Sequence, residues 1–290
     1  MENYSNITSI IINTINTILS NLFSSIDNNI YSILDDITFI SSDILNDSYF
    51  EKILGSSTSN GILLISNSLL FGFVLYYAIK YLLSHFTYKL TENPMQFVLK
   101  AIIFGICINF SYFFMDKFLN LISTITLAIR GIGEDLFNKN ICFAELILEI
   151  NHNFSVNSSN LDIFSLDGIV KASLTTSLLN LLFTYSFRYI MIKIFILLSP
   201  FAILSLILDS TSWFFKSWFR NLFSLMFIQI IVAIVLLILF SINYSFNNLM
   251  TKFIYIGAIY ALIRANSFVR DFIGGVSTTF AQNVENFFKK

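Results

Sequence analysis

Apolar residues recur every three or four positions from the start of the chain: Ile7, Ile11, Ile15, Ile18, Leu22, Ile26, Ile30, Ile33, Ile37, Ile40 and Ile44. Asn, Ser and Thr fill most of the gaps, so residues 1–60 read as one or two amphipathic helices. No Lys or Arg precedes Lys52, so the basic start of a signal peptide is missing. A helix this poor in cations reads as an interaction element rather than a lytic membrane-surface helix.

From Gly61 the apolar runs lengthen. Gly61–Leu83 is the first stretch that covers the roughly 20 residues needed to cross hydrocarbon. Asn93-Pro94-Met95-Gln96 reads as a helix start, with Asn93 as cap, Pro94 as first helical residue and Gln96 closing a capping box. The pattern then runs to Ile129 and stops at Gly131 and Gly133. A helix from Pro94 to Arg130 is roughly 55 Å long, against a hydrocarbon layer of ~30 Å. The expectation is one long helix that leaves the membrane near Asp116-Lys117. Residues 131–168 form a polar connector. Asp167 then caps a third helix, Ile169–Leu198, which Ser199-Pro200 interrupts. Phe201–Leu208 is a short apolar continuation. Phe219–Asn243 is the fourth span and Leu249–Ala265 a shorter fifth. Beyond it, Phe268, Phe272, Val276, Phe280, Val284 and Phe288 recur at spacing four, so 266–290 reads as an amphipathic tail.

The pattern therefore predicts an all-α polytopic membrane protein of about five spans. Its parts are an amphipathic region 1–60 outside the cytoplasm, a transmembrane domain 61–265 and the tail. Composition agrees: 56% of the 290 residues are hydrophobic and 12% charged, about half the charge of an average soluble domain. With 33 Phe and two Pro, compositional bias inflates the mean, so the segments carry the argument.

Sorting the charges gives a direction. Residues 1–60 hold seven acids and one base, and 131–168 hold six acids and Lys139. Lys80, Lys89 and Lys100, then Arg188, Lys193, Lys216 and Arg220, then Arg264, Arg270, Lys289 and Lys290 cluster on the alternate side. Lys and Arg mark the cytoplasmic face. The expected topology has the N-terminus outside, 131–168 as an external loop, 199–218 as a cytoplasmic interfacial segment and the C-terminus inside.

No catalytic constellation is legible. No Gly precedes Lys, which excludes a G-x-x-x-x-G-K loop. His85, His152, Cys107 and Cys142 are too dispersed for metal spacing. The chain reads as a non-enzyme without a cofactor. The candidate residues are polar ones within apolar runs. Asn67, Asn109, Asn180 and Gln229 serve either as helix-packing bonds or as a polar translocation path. Arg188 and Lys193 either snorkel to the inner interface or line a vestibule, with Asp209 as a partner for either. Pro200 either ends its helix or forms a re-entrant hairpin. Trp213 and Trp218 read as interfacial anchors or subunit contacts. Gly257, Ala261 and Ala265 form a small-residue stripe for close helix approach.

The stretch Arg188–Leu236 resembles the TrbL-like conjugal transfer family, the polytopic inner-membrane subunit of type IV secretion systems. The similar elements are Arg188 in a long helix, Ser199-Pro200-Phe201-Ala202, a short apolar segment, and a loop bearing Trp213 and Trp218 that leads into a span. The five-span arrangement with a sizeable external loop is similar too. The resemblance implies a structural, channel-associated part of a DNA- or protein-transfer machine in a bacterial cytoplasmic membrane. It implies other secretion subunits, separate ATPases and further copies of the chain as partners, and transient contact with the transferred DNA or protein.

Overall fold

The computed structural model describes residues 14, 17–18, 33–55, 61–87, 93–154, 166–241 and 249–273. Every regular element among them is helical. After a helical stretch at 33–38 and a 3-10 turn at Ser42–Leu45 come α1 (Ser48–Leu54), α2 (Ile62–Thr87), α3 (Pro94–Asn109), α4 (Ser111–Phe137), α5 (Phe143–Phe154), α6 (Leu166–Leu197), α7 (Ser199–Leu204), α8 (Ser212–Ser241) and α9 (Leu249–Ile273). Among the described residues four stretches are long and apolar enough to cross a membrane: Ile62–Ser84, Ser111–Phe137, Gly168–Leu197 and Asp209–Ser241. The protein is an all-α, multi-pass membrane protein. The expected fifth span is not among the four: α9 runs past Ala265 to Ile273 and carries Lys252, Arg264, Arg270 and Asp271.

Helix ends follow local chemistry. The Asn93 side chain accepts the Met95 N–H at 3.2 Å, and Pro94 opens α3 as expected. The single helix expected from Pro94 to Arg130 is instead two, with the break at Phe110. The Asn109 amide donates back to Gly105 O at 2.9 Å and pairs across to Asn67. Side-chain intrusion into the hydrogen-bond ladder is one cause of helix interruption, and residues 109–111 themselves hold no Gly or Pro. Phe110 takes up the change at φ −92°, ψ 4°. Nor does α4 stop at Gly131 and Gly133. It ends at Asn138, whose φ of 50° is left-handed and whose N–H bonds Glu134 O. Gly133 is a packing residue: a Cβ there would lie 2.5 Å from Ile141 Cγ1 and 2.7 Å from Leu237 Cδ1. The polar connector holds a helix, α5, and α6 begins one residue before Asp167. Pro200, lacking an N–H, kinks the chain at Leu198 without stopping it. Ala202 N–H bonds Leu198 O, and α7 continues for six residues.

Pairwise contacts order the bundle. Phe118 meets Phe219 and Phe223, Thr126 meets Gln229, and Gly133 abuts Leu237, so α4 and α8 run parallel. Trp218 with Phe195 and Leu225 with Arg188 set α6 antiparallel to α8. Tyr185 O–H donates to Leu262 O and ties α9 beside α6. α2 and α3 form a separate antiparallel pair through Asn67–Asn109 and the stacked Tyr77 and Phe97 rings, 3.7 Å apart. α7 is buried against this pair.

Residues 33–54 do not form a separate outer region. They pack into the bundle as a strap, with Leu34, Thr38, Ile40, Ile44, Leu45 and Phe50 buried. The strap meets the α4–α5 corner near Asp35, then Tyr112 near Leu45 and Lys193 at Asp47. It thus runs antiparallel to α4 along the bundle. Asp47 and Lys193, which the charge count assigns to opposite sides, lie side by side. The amphipathic pattern before Ile33 and the tail after Ile273 lie almost wholly outside the described residues.

Candidate functional site: a buried polar hub

α6 and α8 turn Arg188 and Gln229 onto the strap, and α4 supplies Thr126 to Gln229. The Arg188 side chain is fully buried. Its Nε donates to Leu225 O at 2.8 Å, its Nη1 to Thr38 O at 3.0 Å and its Nη2 to Gln229 Oε1 at 3.4 Å. Gln229, 1% exposed, also accepts the Ile40 N–H at 3.2 Å and donates through Nε2 to Thr126 Oγ1 at 3.3 Å. The physical reason is the strap. Its backbone leaves helical geometry at Phe39 and Ile40, and irregular backbone at membrane depth survives only where protein or water satisfies it. Arg188 and Gln229 supply that bonding.

Arg188 keeps a full charge there. Among the described residues no carboxylate reaches it, and its acceptors are two main-chain carbonyls and an amide. A cation at the centre of a bilayer costs ~2.5–3.5 kcal/mol on insertion scales. Carbonyl dipoles and the Tyr185 ring, 5.9 Å from Cζ, offset this. Snorkelling to the interface is therefore not what Arg188 does.

Outer anchors fix the strap at both ends. Asp35 caps α5 from a distance, its oxygens accepting Phe143 N–H at 2.8 Å and Ala144 N–H at 3.0 Å. Burial holds its carboxyl above the ordinary range, with those two bonds and the Arg130 charge opposing. Arg130 donates to Ile141 O and lies 4.7 Å over the Phe39 ring. Tyr112 O–H donates to Leu45 O. At the far end Asp47 caps α1 through the Tyr49 N–H and meets Lys193 Nζ at 3.3 Å. Both contacts lower its pKa, the Tyr49 bond most. Gly55, at φ 72°, then crosses Gly61 so closely that a Cβ on Gly61 would sit 2.5 Å from Gly55 Cα.

The other predicted residues separate. Asn67 and Asn109 exchange amide bonds at 3.1 and 3.4 Å as a clamp between α2 and α3, apart from the hub. Asn180 is half-buried and joins neither group. The four amides therefore do not line one path; only Gln229 enters the hub. Asp209 pairs with Lys100 at 3.1 Å, not with Arg188 or Lys193. Lys193 binds Asp47 and lies 5.2 Å from the Tyr189 ring. Ser199, Pro200 and Ala202 are buried. The tryptophans differ: Trp213 is 66% exposed, whereas Trp218 is 3% exposed and donates its Nε1–H to Phe195 O at 2.8 Å. Trp218 is thus a core residue and not an interfacial anchor. On α9, Gly257 and Ala261 face outward while Ala265 is buried. Tyr255, Ile259, Leu262 and Val269 pack α9 into the bundle, and of the small stripe Ala265 alone joins them.

Sequence reading missed Thr38, Ile40, Thr126 and Asp35. Three of them act through backbone or a hydroxyl bond to a residue distant in sequence, which no local spacing reveals. No family model, curated protein or solved structure matches the chain.

Proposed function

We propose that this chain is a structural, channel-associated subunit of a conjugative or protein-secretion machine in a bacterial cytoplasmic membrane, of the TrbL-like kind. The observation that supports the reading most is where its resembling stretch packs. Arg188, the Ser199–Ala202 kink and Trp218 are all buried, tying α6, α7 and α8 to the strap and to the α2–α3 pair. Such a role is architectural: it holds helices and offers polar groups, while separate ATPases supply energy. In this reading the 131–168 connector faces outward, the 188–220 region and the C-terminus face the cytoplasm, and the chain enters from outside. The strap then carries it through the bundle to Lys193. Further copies and other secretion subunits pack on the exposed apolar faces, and transferred DNA or protein contacts the assembly transiently.

Deleting the chain in its own host tests this. The expected result is loss of conjugal or protein transfer, restored by the chain on a plasmid, with co-purification of secretion ATPases. Normal transfer in a clean deletion strain contradicts it. The buried, carboxylate-free Arg188 favours a second reading, an autonomous anion transporter. Substrate-dependent uptake into vesicles holding only this chain selects that reading.

A further inference from the structure

We propose that the strap, residues 33–47, is a plug that closes a cationic, anion-accepting passage between α4, α6 and α8. Three polar side chains that these helices turn into the core, Thr126, Arg188 and Gln229, bond the strap or one another through Gln229. Remove the strap, and they face one another across the space it filled. Arg188 serves Thr38 O, Leu225 O and Gln229 Oε1, and neutral donors would serve the same acceptors at far lower desolvation cost than a guanidinium. The full charge is accounted for if the space also receives anions. Thr38 itself is fully buried and its hydroxyl has no hydrogen-bond partner among the described residues, so the strap is matched to the hub by its backbone alone. Its ends are held by groups outside the hub: Asp35 on the amides of α5, and Asp47 on Lys193, where both side chains are partly exposed. Release would also free Leu45 O from Tyr112 and uncover Leu34, Ile40, Ile44 and Leu45, whereas the bonds that tie the helices to one another, Trp218 to Phe195 O, Arg188 to Leu225 O and Tyr185 to Leu262 O, do not involve the strap.

The inference does not depend on the secretion reading, because the test holds this chain alone. The full chain, with Cys107→Ala and Cys142→Ser, is reconstituted in phosphatidylcholine–phosphatidylglycerol vesicles, and iodide and potassium fluxes are followed. Thr38→Cys, close in size to the native residue, reports strap exposure to a membrane-impermeant thiol reagent. Asp35→Ala with Asp47→Ala is expected to make Thr38→Cys reactive and to raise iodide flux roughly 5- to 30-fold. Potassium flux stays flat. In a separate chain, Asp47→Cys and Lys193→Cys joined by a short reducible bis-thiosulfonate bridge keep the vesicles tight. Lys193→Gln breaks the partly exposed pair, along with the Lys193 contacts to the Phe50 and Tyr189 rings, and gives the same two readouts in the same direction if the double variant does not fold. Labelling of Thr38→Cys without iodide flux, flux that the bridge does not suppress, or a Thr38→Cys that stays unreactive in every weakened variant overturns the proposal.

Discussion

Gln229→Leu isolates what the hub contributes. Leu is close in size, so packing changes little, but three bonds disappear: Ile40 N–H to Oε1, Arg188 Nη2 to Oε1, and Nε2 to Thr126 Oγ1. Thr126 still donates to Ile122 O, and Arg188 keeps two acceptors. Ile40 N–H is left buried without a partner, which costs ~1–3 kcal/mol. The weakened bond to a charged donor adds about 1 kcal/mol, since at 3.4 Å it is long for its class. The expected total is about 2–4 kcal/mol, read from reversible denaturant unfolding in detergent micelles. Gln229→Glu keeps the acceptor and gives Arg188 a carboxylate, so it is expected to lose less than Gln229→Leu. Arg188→Met with Gln229→Leu should be non-additive by ~0.5–3 kcal/mol, the range for residues in one network. A Gln229→Leu chain as stable as the native one, or additivity within ~0.5 kcal/mol, refutes the hub.

Gly61→Ala places a Cβ against Gly55 Cα and Leu54 O, neither of which is a flexible side chain. It is expected to destabilise by ~1–3 kcal/mol, whereas Gly72→Ala, with open space around it, should be neutral or stabilising by up to ~1 kcal/mol; thermal unfolding of the pair checks this. Asp35 has a folded pKa above its ordinary 3.8, so its contribution is fully present below that value and is lost as pH rises through the folded pKa. Stability of the native chain relative to Asp35→Asn should therefore fall as pH increases from about 4 upward, and a rise would show the cap outweighing burial. In single-tryptophan chains, Trp218 should resist both acrylamide and brominated-lipid quenchers while Trp213 is quenched by at least one. Equal quenching would remove Trp218 from the core.

Much of the architecture is written in the residue pattern because each helix announces itself locally. Asn93-Pro94 carries its own cap chemistry, and the apolar run from Phe219 is continuous enough to need no context. What the pattern hides is set by partners far along the chain. The break at Phe110 contains no Gly or Pro; it comes from the Asn109 amide turning back onto Gly105 O and across to Asn67. The glycines 131 and 133 look like a stop signal, yet Gly133 is small because Ile141 and Leu237 press on it. Arg188 and Gln229 stand out as polar residues in apolar runs, but their roles depend on Thr38 and Ile40, 150 and 189 positions away. The amphipathic rhythm of the first 60 residues is real as a pattern; it does not say that its described part, 33–54, buries itself among helices that follow it. Charge sorting likewise separates Asp47 from Lys193 because it counts stretches between spans and cannot see a strap.

Residues 33–47 thread through the bundle and deliver Asp47 to Lys193. The most direct test is thiol bridging in native membranes. Asp47→Cys with Lys193→Cys, in a chain lacking Cys107 and Cys142, is treated with a short bis-thiosulfonate, cut between the two sites with a protease and run with and without reductant. The two fragments are expected to stay joined until reduced. Fragments that separate without reductant, with each cysteine labelled only from opposite faces of the membrane, would contradict it.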